Sequence, residues 1–159
     1  MRILLALTFA LIASPALAAD WGHYVNERFG VEADVPPGFA PDAPPANGDG
    51  QRFVTPTAEL AIHGGLIVEG DFESEVAQRL AWTQQDGWNI SYQATTPSWA
   101  SWSGRKGSRI LYVRAVRMCD GEAYGAFELR YSEADLKAFE PVVERLVQSL
   151  RDSGTGWQC

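Results

Sequence analysis

Asn47, Gly48, Asp49 and Gly50 set two oxygen-bearing side chains two residues apart between glycines, the spacing with which many calcium loops begin. An EF-hand loop needs ligands at its third, fifth and twelfth positions, glycine at the sixth and an acid at the twelfth. Counted from Asn47, Asp49 and Gln51 qualify, but the sixth residue is Arg52 and the twelfth is Ala58. A cation beside Arg52 would also meet a like charge. The same four residues suit a tight turn, since Asn and Asp tolerate left-handed backbone and glycine supplies positive φ at little cost. The mismatch favours the turn. Asn47 and Asp49 stay as the candidates for a cation, and no cofactor is expected.

Other chemistry-bearing residues are scattered. His23 and His63 are the only histidines, and neither has metal-ligand spacing. No Gly-x-Ser-x-Gly occurs; "SWSGRKGSR" comes nearest and does not match. A Ser-His-acid constellation can be assembled from distant positions, so an enzyme reading would use His63 with a serine or acid brought close by folding. No residue invites a nucleophile assignment, and the chain reads as a non-enzyme. The run Glu69, Asp71, Glu73, Glu75 falls where a helix begins, and its dipole favours carboxylates there without a metal.

The surplus lies elsewhere. Trp82, Trp88, Tyr92, Trp99 and Trp102 crowd a short span, followed by Arg105, Lys106, Arg109, Arg114 and Arg117. Aromatic faces seat a partner's side chains, and a local basic reversal in an acidic chain suits an anion. Tyr92 shares parity with Ile90 and reads as core. Trp82 lies off the Phe72-Val76-Leu80 helical stripe, while Trp99 and Trp102 must face opposite ways on an unbroken strand. Alternation likewise separates Arg109 and Arg117 from Arg114. The candidate partner surface is Trp82, Trp99, Trp102, Arg105 and Lys106.

Positioning these residues falls to a short mature chain. Arg2, an apolar run from Ile3 to Ala13 and the small residues Ala16-Leu17-Ala18 form a secretory signal, residues 1–19, with cleavage near Ala18 or Ala19. No cysteine closely follows that site, which argues against a lipid anchor, and the expected location is the periplasm or the exterior. Losing Arg2 takes the formal charge from −7 to −8 (−7 − 1). Acidity excludes nucleic acid and anionic membrane as partners, leaving a protein or small ligand. Cys119 and Cys159 are an even pair for an oxidising compartment and read as a disulfide.

Residues 20–159 read as one domain. Val31, Ala33 and Val35 alternate with Glu32 and Asp34, the mark of a half-buried strand. "LAIHGGLIV" is a strand in which Gly64-Gly65 predict a bulge or an early end. Asp71 caps a helix that Gly87 closes. Residues 109–118 are apolar on both parities and predict a strand covered on both faces. Leu136, Phe139, Val143, Leu146 and Leu150 form an apolar helical stripe, with Ser132 and Asp135 as a capping box. Pro141 predicts a helix starting near Phe139, preceded by a short helical turn. The pattern is α+β: an antiparallel sheet of hairpins with flanking helices.

"YVNERFGVEADVPPGF", "NGDGQRF", "GRKGSRILYVRAVRMCDG" and "PVVERLVQSL" together resemble small exported bacterial proteins of the PsbP-like fold. That sandwich is shared with the photosystem extrinsic protein PsbP and a Ran-binding nuclear transport factor. The resemblance runs from Tyr24 to Leu150. It implies an antiparallel sheet flanked by helices and no activity, since domains of that fold are mostly binders and accessory subunits. Three functions remain open: a non-catalytic envelope binding or accessory protein, an envelope hydrolase using His63, and an acidic inhibitor of a basic secreted enzyme.

Overall fold

The structure is a computed structural model, and it describes residues 20–68 and 70–157. The signal segment, Glu69 and Cys159 lie outside the described residues.

Two antiparallel sheets carry the architecture. In the smaller, β1 (Gly22–Val25) pairs with β2 (Val31–Val35), whose other edge takes β10 (Arg151–Asp152). The larger contains β3 (Ala40–Pro41), β4 (Gly50–Val54), β5 (Glu59–Leu66), β6 (Asn89–Thr95), β7 (Trp99–Lys106), β8 (Arg109–Met118) and β9 (Ala123–Ser132). Its strand order is β3-β4-β5-β9-β8-β7-β6. Helix α1 (Phe72–Gln85) lies on one face, where Phe72 and Val76 pack with Trp102, Leu111, Val113 and Ala126. Helix α2 (Leu136–Ser149) and the smaller sheet cover the other face, where Leu146, Val31 and Ala33 meet Ile62, Phe127 and Leu129. The period-two pattern of β8 puts Leu111 and Val113 against α1, and Ile110, Tyr112 and Val116 against the α2 side.

Local signals explain several boundaries. The Asp71 side chain accepts from Ser74 N–H at 2.9 Å and satisfies one free donor at the start of α1. Gly87, at φ +88°, ends that helix in the left-handed region. The β7–β8 hairpin turns through Gly107 and Ser108, with Gly107 at φ +58°.

Four expectations are corrected. Gly64 and Gly65 neither bulge nor end β5, which pairs without a break to Leu66. They are small because a Cβ on Gly64 would come within 2.5 Å of Phe29 Cβ, and one on Gly65 within 2.5 Å of the Tyr124 hydroxyl. Tyr92 is not core. The register slips between Ile90 and Tyr92, so Ser91 is an extra residue that turns Tyr92 to the face opposite Ile90. Helix α2 does not begin near Phe139; it runs through Pro141 from Leu136, after a 3₁₀ turn at Glu133–Asp135. The Ser132–Asp135 capping box does not form, because the Ser132 hydroxyl accepts from Ala134 N–H and serves the 3₁₀ turn.

Both ends of the chain are tied to β2 by charge. His23 sits between Asp34 Oδ1 (3.1 Å) and Glu32 Oε2 (3.2 Å). Arg145 of α2 donates to Asp34 at 2.8 Å, and Arg151 of β10 to Glu32. The Asp34 hydrogen bond raises the His23 pKa above its ordinary value, partly offset by desolvation. Burial opposes ionisation of Glu32 and Asp34, but their hydrogen bonds to His23, Arg151 and Arg145 outweigh it and hold both low. The raised imidazole contributes stability fully below its unfolded value of 6.5 and loses it as pH rises through the folded value. The depressed carboxylates contribute above 4.5 and lose it as pH falls through their folded values. Melting scans should therefore place this cluster's full contribution between those limits. His23→Gln should flatten the fall above pH 6.5 and shrink the acid fall to the part that Arg151 and Arg145 sustain; equal alkaline slopes for both proteins would remove the imidazole from the account.

Candidate functional site

On the α2 side of the large sheet, a groove of about 410 Å³ runs between the helix and the β7–β8 hairpin. Ile110, Tyr112 and Tyr131 line it, with Leu136 and Glu140 on the helix wall and Arg105 on the opposite rim. The aromatic residues are fixed from beneath. Tyr112 stacks on Phe127 with centroids 6.0 Å apart, and Tyr131 on Phe139 at 4.4 Å. Burial pushes the Tyr131 hydroxyl above its ordinary pKa, so it stays protonated.

On the same face lies Arg114. Its guanidinium carbon is 4.1 Å from the Trp99 ring centroid, and Nη1 donates to Ser101 Oγ at 3.1 Å. Its Nε is sealed without a partner. No carboxylate among the described residues pairs with it, whereas Arg28, Arg52, Arg79, Arg105, Arg130, Arg145 and Arg151 each have one. Arg109, which donates to the Thr57 carbonyl, and the exposed Arg117 share the lack but not the indole backing. Desolvation draws the Arg114 pKa below its ordinary value, with Tyr112 and Tyr92 as its electrostatic neighbours. A flat cation backed by an indole presents donors to an acceptor.

The candidate partner residues do not form one patch. Trp102 is the correction: it points toward α1 and is 3% exposed, because β7 turns its even positions into that core. Trp82 is 49% exposed at the flank of α1, bordering a small groove with Trp88 and Arg130. Trp99 lies on the opposite sheet face under Arg114. Arg105 pairs with Glu133 at 2.8 Å, and Lys106 donates to the Asp86 carbonyl at 2.6 Å.

His63 lines a separate groove of about 440 Å³ with Asp49, Arg52 and Tyr124. Its Nε2 is 3.8 Å from Glu128 Oε1, and its ring meets Tyr124 edge-on. Serine, threonine and cysteine are absent from the described lining, so the imidazole has no aliphatic hydroxyl or thiol there to activate. Glu128 is ionised and largely covered beneath α1; burial opposes its charge, but the neighbouring His63 and Arg130 outweigh that. The Asn47–Gly50 segment is a turn with Gly48 at φ +67°. Asn47 Nδ2 donates to Asp49 Oδ2 at 2.6 Å and Arg28 Nη1 to Asp49 Oδ1 at 2.5 Å, so the Asp49 carboxylate is already engaged by a cation.

Neither a protein-family model nor a curated protein sequence matches this chain. Solved structures do. Saccharomyces cerevisiae Mog1p, a Ran-binding protein, superposes with a TM-score of 0.62 at 9% identity, covering 86% of this chain and 97% of its own. Cyanobacterial PsbP (CyanoP) from Synechocystis sp. PCC 6803 gives 0.63 at 14% identity, covering 87% of this chain and 96% of its own. The chain has the PsbP-like fold. The groove beside α2 is thus a feature of a PsbP-like sandwich in which the helix covers β8 and β9 and leaves part of β6 and β7 open. Sequence reading singled out Trp99 but passed over Arg114 as one charge in a hairpin. The signal for it was present, since Trp99 and Arg114 share a face once β7 and β8 are paired through Gly107-Ser108.

Proposed function

We propose that the mature chain, exported to the periplasm or beyond after cleavage near Ala18 or Ala19, is a non-catalytic binding or accessory protein. It recognises its partner through the sheet face beside α2. The observation that carries this is an aromatic groove floor with, two residues beyond Tyr112 on the same sheet face, a guanidinium at Arg114 that no described carboxylate compensates. The absence of an aliphatic hydroxyl or thiol from the described lining around His63 supports recognition over hydrolysis. The Ran-binding Mog1p supports protein recognition as a use to which this fold is put. In the same compartment, Cys119 is bridged to Cys159.

The test is capture from envelope extract on immobilised mature protein, compared with Trp99→Ala/Arg114→Ala. A folded double variant should lose the proteins retained by the native chain. Retention of the same set by both would move recognition off this face, and turnover of ester or peptide substrates abolished by His63→Ala would replace the reading with a hydrolase.

A further inference from the structure

Arg114 is conspicuous for what it lacks. The chain has 20 acidic against 13 basic residues, yet none of the described acids compensates this half-buried charge. Withdrawing a guanidinium from water costs free energy unless an anion or good acceptors replace the solvent. Ser101 replaces part, through one hydrogen bond. The remainder is open.

The surroundings narrow the ligand. Trp99 holds the guanidinium flat and Ser101 fixes its rotation, so its geometry is set before anything binds. In register, Arg114 opposes Ser101 on β7, and Ser101 opposes Ala94 on β6, the outermost strand. Ser101 is itself sealed, at 1% exposure, beneath this arrangement, while toward the sheet edge the small Ala94 and Tyr92, which is 47% exposed, flank the cation's approach. A single fixed guanidinium suits a monoanion. Phosphate dianion would call for a second cation, and Arg105, on the groove's far rim, is engaged by Glu133. The neighbouring floor of Tyr112, Ile110 and Tyr131 demands apolar contact from whatever carries the anion. A net charge of −7 disfavours a highly acidic partner.

We propose that Arg114 is the receptor for one carboxylate borne by an otherwise apolar peptide segment, whose flanking side chains rest on the groove beside α2. This rests on the reading that the α2-side face is the recognition surface, and deepens it by naming the chemistry recognised.

The test uses the mature protein and N-acetylated, C-amidated Phe-Glu-Val, its Phe-Gln-Val counterpart, sodium acetate and inorganic phosphate, monitored by the Arg114 Nε–H and indole N–H resonances. The Glu peptide should shift Arg114 and Trp99 signals. The Gln peptide and the folded Arg114→Lys and Ser101→Ala proteins should bind it about tenfold or more weakly, the loss associated with a charge-assisted hydrogen bond. Acetate should need far higher concentrations, because it brings no apolar contact. Equal binding of Glu and Gln peptides overturns the carboxylate. Acetate matching the peptide overturns the peptide-borne ligand, and phosphate binding more tightly overturns the monoanion. If the capture experiment depends on Arg114 while Glu and Gln are indistinguishable, the recognition surface stands and this assignment falls.

Discussion

Cys119→Ser should lower the melting temperature in oxidising buffer and have little effect once reductant is present. Residues 119 and 159 are 40 apart (159 − 119). Cross-linking a loop of that size stabilises by about 4 kcal/mol on the chain-entropy account. Cys119 opens a turn whose backbone is left-handed at Cys119 and Asp120, φ 52° and 53°, between β8 and β9. The proposed bridge to Cys159 would fasten the glycine-bearing tail to the turn between β8 and β9. The measurement is thermal melting of mature wild type and variant with and without dithiothreitol. Coincident curves without reductant would remove the bridge, and with it the main stability argument for an oxidising compartment.

Phe127→Ala should destabilise by about 3–5 kcal/mol, the range for truncating a buried phenylalanine. Phe127 is fully buried in β9, the middle strand of seven, and packs into the core shared with Val31, Ile62 and Leu146. Its ring also underlies Tyr112. Two effects should therefore appear together: a melting temperature lower by roughly 10–20 °C for a domain this size, and weaker peptide binding at the groove. Phe127→Leu keeps most of the volume and should show a much smaller shift. Denaturant and thermal melts check the first effect. A loss below about 1 kcal/mol, typical of surface sites, would mean the core can collapse around the gap.

Where the sequence was legible, the deciding information was local. The Asp71 cap, the Gly87 terminus, the alternation of β2 and the two-sided apolar character of β8 each depend on residues within one element. The errors share an opposite origin. One additional residue at Ser91 reverses every later side chain of β6, and nothing around Tyr92 announces it. Gly64 and Gly65 carry a sequence signature of irregular backbone, but the cause is Phe29 and Tyr124 arriving from elsewhere. Trp102 counts as a surface residue only until one knows which face α1 covers. The candidate site was visible as composition, an aromatic and basic surplus, and not as geometry. Its decisive property is that Arg114 has no acid beside it, and this follows from which strands become neighbours.

Strand β2 pairs with residues 22–25 along one edge and with residues 151–152, far later in the chain, along the other. Gly30 is held by Ser153 N–H at 2.8 Å, and Gly156 lies against Phe29 so closely that any side chain there would overlap it. The cover over the hydrophobic interior is therefore completed only once residues 151–156 have been synthesised. Until those residues have been made, β2 lacks its second neighbour and the interior beneath it stays uncovered, a property that would serve the export proposed above.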